Sequence, residues 1–154
     1  MIEKSLIEAI ERMIEKGWDK IYFLVDIHGT IFKPSYNETD PCIWLGESRD
    51  ALREMTKAPW ISLILWTSTY PSAIVNSYLP VFEREGIKFD YINGNPEVLN
   101  GVLGCFDKKP YFNLLLDDKA GFEEEDWSKI LKVIRKYDSR RSKKDISLSS
   151  KMVN

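Results

Sequence analysis

A handful of residues in this chain have the types and spacing to handle a phosphoryl group. Asp26 ends the apolar stretch of YFLVDIHGTIF, and His28, Gly29 and Thr30 follow it at once. A second apolar stretch, in YFNLLLDDKAGF, ends in Asp117 and Asp118. Each reads as a buried strand that delivers a carboxylate to a tight turn. Carboxylates and a few waters are what Mg²⁺ prefers. Asp26 and Asp117, with Asp118 as neighbour or further ligand, could therefore hold one ion. A carboxylate beside Mg²⁺ is an arrangement for phosphoryl transfer, because the metal offsets phosphate charge and lets an anionic nucleophile approach. Asp can form an aspartyl phosphate. The remaining phosphate oxygens need hydroxyl or amide donors and a cation. Thr67 or Ser68, closing the apolar run LILW, could supply the hydroxyl, and Lys109 or Lys108 the cation.

These residues must be positioned by regular elements. Ile2, Leu6, Ile10, Met13 and Ile14 recur at helical spacing, which predicts a helix over 2–16 ended by Gly17. Apolar runs over 21–25, 61–66, 89–92 and 112–116 read as strands. Helices are expected over 47–57, from Ser72 with an interruption at Pro80, and around Trp127 to Tyr137. Residues 33–46 read as an irregular loop or small hairpin, and 94–107 as a loop with one helical turn at 97–99. Alternating strands and helices predict an α/β fold with a mostly parallel sheet, whose ligands sit beyond the carboxyl ends of the strands. Asp26, Thr67 and Asp117 all lie at such ends. One domain over 1–137 is expected, then a basic, flexible tail over 138–154.

Composition narrows the function classes. With 154 residues, 44% of them hydrophobic, the chain can bury a core. Its 22 basic and 24 acidic residues give a net charge of −2, which favours neither nucleic acid nor an anionic membrane as a global partner. A single His rules out zinc sites built on several imidazoles. Two cysteines without metal-ligand spacing, a charged N-terminus and no apolar run near the ~20 residues that span a bilayer make cytoplasm the expected location.

The order of these residues resembles the haloacid dehalogenase superfamily, mostly Mg²⁺-dependent phosphatases that work through an aspartyl phosphate. Asp26-Ile27-His28-Gly29-Thr30 matches its Asp-x-Asp-Gly-Thr motif except at His28. Thr67 matches its Thr/Ser at a strand end, Lys109 its Lys, and Asp117-Asp118 its acidic pair. The resemblance covers about residues 20–135. It implies a Rossmann-like three-layer sandwich with minimal or no cap, since both cap-bearing gaps are short and 36–45 is at most a flap. It also implies Asp26 as nucleophile and metal ligand, with the His28 carbonyl and Asp117 as further ligands. Thr67 and Lys109 would bind the phosphoryl group. The second Asp of the motif is the family's general acid/base, and His28 stands in its place. Imidazole has a pKa suited to both jobs but a different reach.

The expected substrate is a phosphorylated small molecule, a nucleotide or a phosphorylated nucleic-acid end. A homo-oligomer with the partner as lid is compatible with an open site. The rival expectation is a catalytically impaired, phosphate-binding or regulatory module, motivated by His28. A two-component receiver is disfavoured, because its acidic pair comes early in the chain. The basic cluster over 135–144 tilts the substrate slightly toward nucleotides or nucleic acid, against the plainer reading of a solvated terminus.

Overall fold

In a computed structural model the chain is described at residues 1–35, 37 and 39–152, except for the side chains of Ile146, Leu148, Ser149 and Met152. Part of the expected flap, Tyr36 and Glu38, and the last two residues of the expected tail lie outside the described residues. Helix α1 (Ile2–Lys16) buries Leu6, Ile10 and Met13 on one face, and Gly17 closes it in the left-handed region at φ 66°. Strand β1 (Ile21–Val25), helix α2 (Ser48–Lys57) and strand β2 (Ile61–Leu65) follow. β2 is buried along its whole length, as an interior strand of a parallel sheet must be. Strands β3 (Tyr91–Ile92) and β4 (Leu114–Leu116) are shorter than the apolar runs that contain them.

The four strands form one all-parallel sheet in the order β3-β2-β1-β4 with helices around it, an α/β sandwich of Rossmann-like form without a cap. The chain steps outward from β1 to β2 to β3, then returns to the other side of β1 to lay down β4. The strand order therefore reverses between β1 and β4. In open parallel sheets that reversal leaves a crevice at the carboxyl ends of the two strands.

Three elements differ from the sequence expectation. The helical stretch after β2 is not broken at Pro80. It runs as α3 (Pro71–Ala73), a π-helical turn (Ile74–Tyr78) and α4 (Leu79–Arg84). Proline has no N–H to donate and its ring crowds the carbonyl four residues back. The wider turn just before Pro80 takes up that misfit. Residues 97–99 form no helical turn, and the loop instead carries a small bridge between Gly101 and Gly104. The third difference is a correction at the C-terminus. Helix α5 (Asp126–Met152) does not stop near Tyr137 but continues into the segment expected as a basic, flexible tail. The apolar pattern fades there, yet no Gly or Pro occurs from 122 to 152, and Lys and Arg are good helix formers. No helix among the described residues is long and apolar enough to cross a membrane.

The segment between β1 and α2 is a small hairpin. Leu45 donates to the Ile31 carbonyl at 2.9 Å and Lys33 to the Ile43 carbonyl at 2.9 Å. Phe32 is its anchor, stacked 5.6 Å from Phe82 and edge-on to Trp44 at 4.5 Å. Trp60 and Trp127 are core residues, so neither is available to stack on a ligand.

Candidate metal and phosphate site

The crevice between β1 and β4 is where the carboxylates meet. Val25 pairs with Leu116, so the next residue of each strand, Asp26 and Asp117, emerges at the same edge. The Asp26 amide continues the ladder by donating to the Leu116 carbonyl at 2.9 Å. Asp26, Asp117 and Asp118 each offer an oxygen, and these oxygens lie within 4.8 Å of one another. Asp26 and Asp117 are half-buried and Asp118 is exposed.

Two turns hold this geometry. After Asp26 the chain folds back on itself, and the Ile31 and Phe32 amides both donate to the Ile27 carbonyl at 3.0 Å. Gly29 occupies φ 81° in this turn. After Asp117 a short 3-10 turn (Asp118–Ala120) begins, capped by the Asp117 carboxylate, which accepts from the Lys119 amide at 2.9 Å. Thr30 ties the two turns together. Its buried hydroxyl accepts from the Asp118 amide at 3.0 Å, and its carbonyl accepts from the Trp127 indole at 2.9 Å. The Gly-Thr pair after Asp26 thus docks the β4 turn, and with it two of the three carboxylates.

Burial, helped by the like charges of Asp117 and Asp118, pushes the Asp26 carboxyl up to about 6 against a hydrogen bond from the Ile27 backbone and, more weakly, the Lys119 ammonium. Three acids this close offer hard oxygen ligands that could hold a cation, the donor type that Mg²⁺ takes. Lys119 is a site residue that the sequence reading passed over. Its place directly after the acidic pair was the available signal.

Thr67 and Ser68 lie at the same edge, one strand away. Trp66 donates to the Val25 carbonyl at 2.8 Å, which holds the end of β2 beside the end of β1. The Thr67 hydroxyl and the Thr69 hydroxyl lie 2.8 Å apart, and the Thr69 amide donates to Thr67 Oγ1 at 3.1 Å. Neither caps the following helix, whose N-cap is Tyr70 without a side-chain bond. Asn93, just past β3, clamps Thr67. Its Oδ1 accepts from the Thr67 amide at 2.8 Å and its Nδ2 donates to the Thr67 carbonyl at 2.9 Å. These residues line a depression of about 320 Å³ over the ends of β2 and β3.

Lys108 and Lys109 are not brought to the carboxylates. They precede β4, in a loop held at the other end of the sheet by Tyr111, which packs on Trp18 and Tyr22. The Lys109 ammonium sits 5.4 Å from the centre of the Phe112 ring.

His28 is two residues past Asp26, but its ring is turned to the π-helical turn. Nε2 lies 3.2 Å from the Tyr78 hydroxyl and the two rings meet edge-on. Nδ1 is buried without a hydrogen-bond partner among the described residues. Burial, and secondarily the Lys119 ammonium, lowers the His28 pKa, which disfavours the imidazolium.

No family model, no curated protein and no solved structure matches this chain.

Proposed function

We propose that the chain is a Mg²⁺-dependent phosphomonoester hydrolase with Asp26 as its nucleophile. The meeting of Asp26, Asp117 and Asp118 within 4.8 Å, at the crevice where the strand order reverses, carries this reading. The Asp26 carboxylate attacks phosphorus, an O–P bond forms, and the ester P–O bond breaks to release the alcohol. Water then attacks the same phosphorus, the bond to Asp26 breaks, and phosphate leaves. When bound, Mg²⁺ offsets the phosphate charge and orients the group for in-line attack. Asp26, Asp117 and Asp118 would hold it, with the His28 carbonyl as a further oxygen. The Thr67 and Ser68 hydroxyls are the donors for the phosphoryl oxygens, with the Thr67 backbone held in advance by Asn93. Lys119 supplies the cation that the sequence reading assigned to Lys109 or Lys108. The absence of a cap suits phosphorylated small molecules, nucleotides and phosphorylated nucleic-acid ends alike.

His28 supports a second reading, a phosphate-binding or regulatory module with little turnover. A proton for the leaving group has to come from Nδ1 or Nε2, and the first is buried while the second faces Tyr78. Acid catalysis by this ring therefore requires it to leave Tyr78.

Phosphate release from an aryl phosphate separates the readings, because an aryl leaving group needs little protonation. Hydrolysis expects Mg²⁺-dependent release that Asp26→Asn abolishes. No release from the wild type, together with Mg²⁺ binding that Asp117→Asn weakens, would leave the binding module as the function.

A further inference from the structure

Helices α1 and α5 lie side by side and run the same way. α1 feeds the start of β1 through residues 17–20, while α5 departs from the far end of β4. Between them lies a groove of about 750 Å³ whose lining includes none of Asp26, Asp117 and Asp118. Ile7 and Ile14 of α1 face it, 41% and 61% exposed, beside the half-buried Tyr137. Its walls carry opposite charge. Glu3 and Glu11 rise from α1, whereas Lys132, Lys136, Arg140, Arg141 and Lys144 rise from α5, with Asp145 the acid on that side. All of these bases but Arg141 recur every four residues and so form one stripe. The extension of α5 beyond Tyr137 is what completes this wall.

We infer that this groove is a dimer interface, occupied by the same α1–α5 face of a second copy. The charges select both the occupant and the symmetry. A two-fold axis across the helices would lay α1 on α1 and α5 on α5, acid on acid and base on base. An axis along the groove lays each α1 over the other copy's α5. Glu3 and Glu11 of each copy then meet the basic stripe of the other, twice over, and the isoleucines are covered. Such a contact is isologous and closes at two copies. A nucleic acid drawn to the basic wall would have to lie against Glu3 and Glu11, and this favours the second copy. The inference is independent of the proposed phosphatase activity.

The test is a charge exchange read by sedimentation or light scattering, with circular dichroism to confirm folding. The wild type is expected at twice its 18.0 kDa chain mass. Glu3→Lys with Glu11→Lys in one protein, and Lys136→Glu with Arg140→Glu in another, should each raise the dissociation constant at least tenfold, by about 1.4 kcal/mol or more. An equal mixture of the two should recover the dimer, because both contacts in the mixed pair are again opposite in sign. Ile14→Glu, at a position already exposed, should give monomer without loss of fold. A monomeric wild type would overturn the inference, as would a dimer indifferent to Ile14→Glu. A monomer that binds duplex nucleic acid through Lys136 and Arg140 would also overturn it and give the groove to that ligand.

Discussion

The Asp118 carboxylate occupies the space that a side chain on Gly29 would need. A Cβ built on Gly29 falls 2.6 Å from Asp118 Oδ2 and 2.9 Å from its Cγ. A side chain at the glycine after His28 would thus have to push aside the exposed Asp118 carboxylate, 89 positions away, besides straining the turn. Gly29→Ala should destabilise the protein by about 2–4 kcal/mol, from the left-handed backbone and from displacement of Asp118. Gly121 provides the control. It has φ 89° but open space around it, so Gly121→Ala should show only the backbone part, about 1 kcal/mol. Equal losses in urea unfolding would mean that Asp118 moves aside freely.

Among the described residues, Asn93 is the only non-glycine at positive φ, at 53°. It keeps that conformation while its side chain makes two hydrogen bonds to the Thr67 peptide. Asn93→Gly should relieve the backbone but lose the clamp, and Asn93→Ala should lose on both counts. Thermal unfolding should therefore rank wild type above Asn93→Gly and Asn93→Gly above Asn93→Ala, with the last costing about 1–3 kcal/mol. Phosphate affinity should fall in both if Thr67 is the phosphate donor.

The raised Asp26 carboxyl gives a pH dependence of stability in chelated, metal-free protein. Its folded pKa of about 6 lies above the ordinary 3.8, so the folded state holds this proton more tightly than the unfolded state does. Well below about pH 4 both states are protonated and the group contributes nothing. As pH rises from about 4 to 6 the unfolded state ionises first and the folded state loses stability through this group. Asp26→Asn has no such loss. Its melting temperature should exceed that of wild type above pH 6, by roughly 2–5 °C, and approach it near pH 4. A gap that does not change with pH would show that Asp26 is not held in this environment. Mg²⁺ should narrow the gap by stabilising the wild type.

Lys119 acts on both Asp26 and His28, whereas Lys109 lies over Phe112. Lys119→Met should weaken binding of inorganic phosphate in the presence of Mg²⁺ by about tenfold, near 1.4 kcal/mol. Lys109→Met should leave it within twofold. Calorimetric titration of the two variants checks this, and the reverse ranking would return the role to Lys109.

Much of this molecule could be read from local pattern. The run over 21–25 is apolar without period and stops at an acid and a Gly-Thr, and those boundaries are those of β1. The helical repeat of α1 and its Gly17 stop are equally local. Asp26 and Asp117 could be placed at strand ends because each follows a buried run directly. All of these depend on a residue's immediate neighbours, through the spacing that puts side chains on one face and the turns that glycine permits.

What only the tertiary structure decided depends on partners far apart in the chain. The apolar runs do not say which strand lies beside which, yet it is the order β3-β2-β1-β4 that puts Asp26 next to Asp117. Lys108, Lys109 and Lys119 look alike in sequence. Which one bears on the carboxylates follows from the direction of β4, since residues before it and after it leave at opposite ends of the sheet. The helical course of 138–152 was hidden because falling hydrophobicity marks the edge of the core, and a helix without Gly or Pro need not end there. The Tyr78 contact that turns the His28 ring comes from a π-helical turn before Pro80, where the backbone had to choose between breaking and widening.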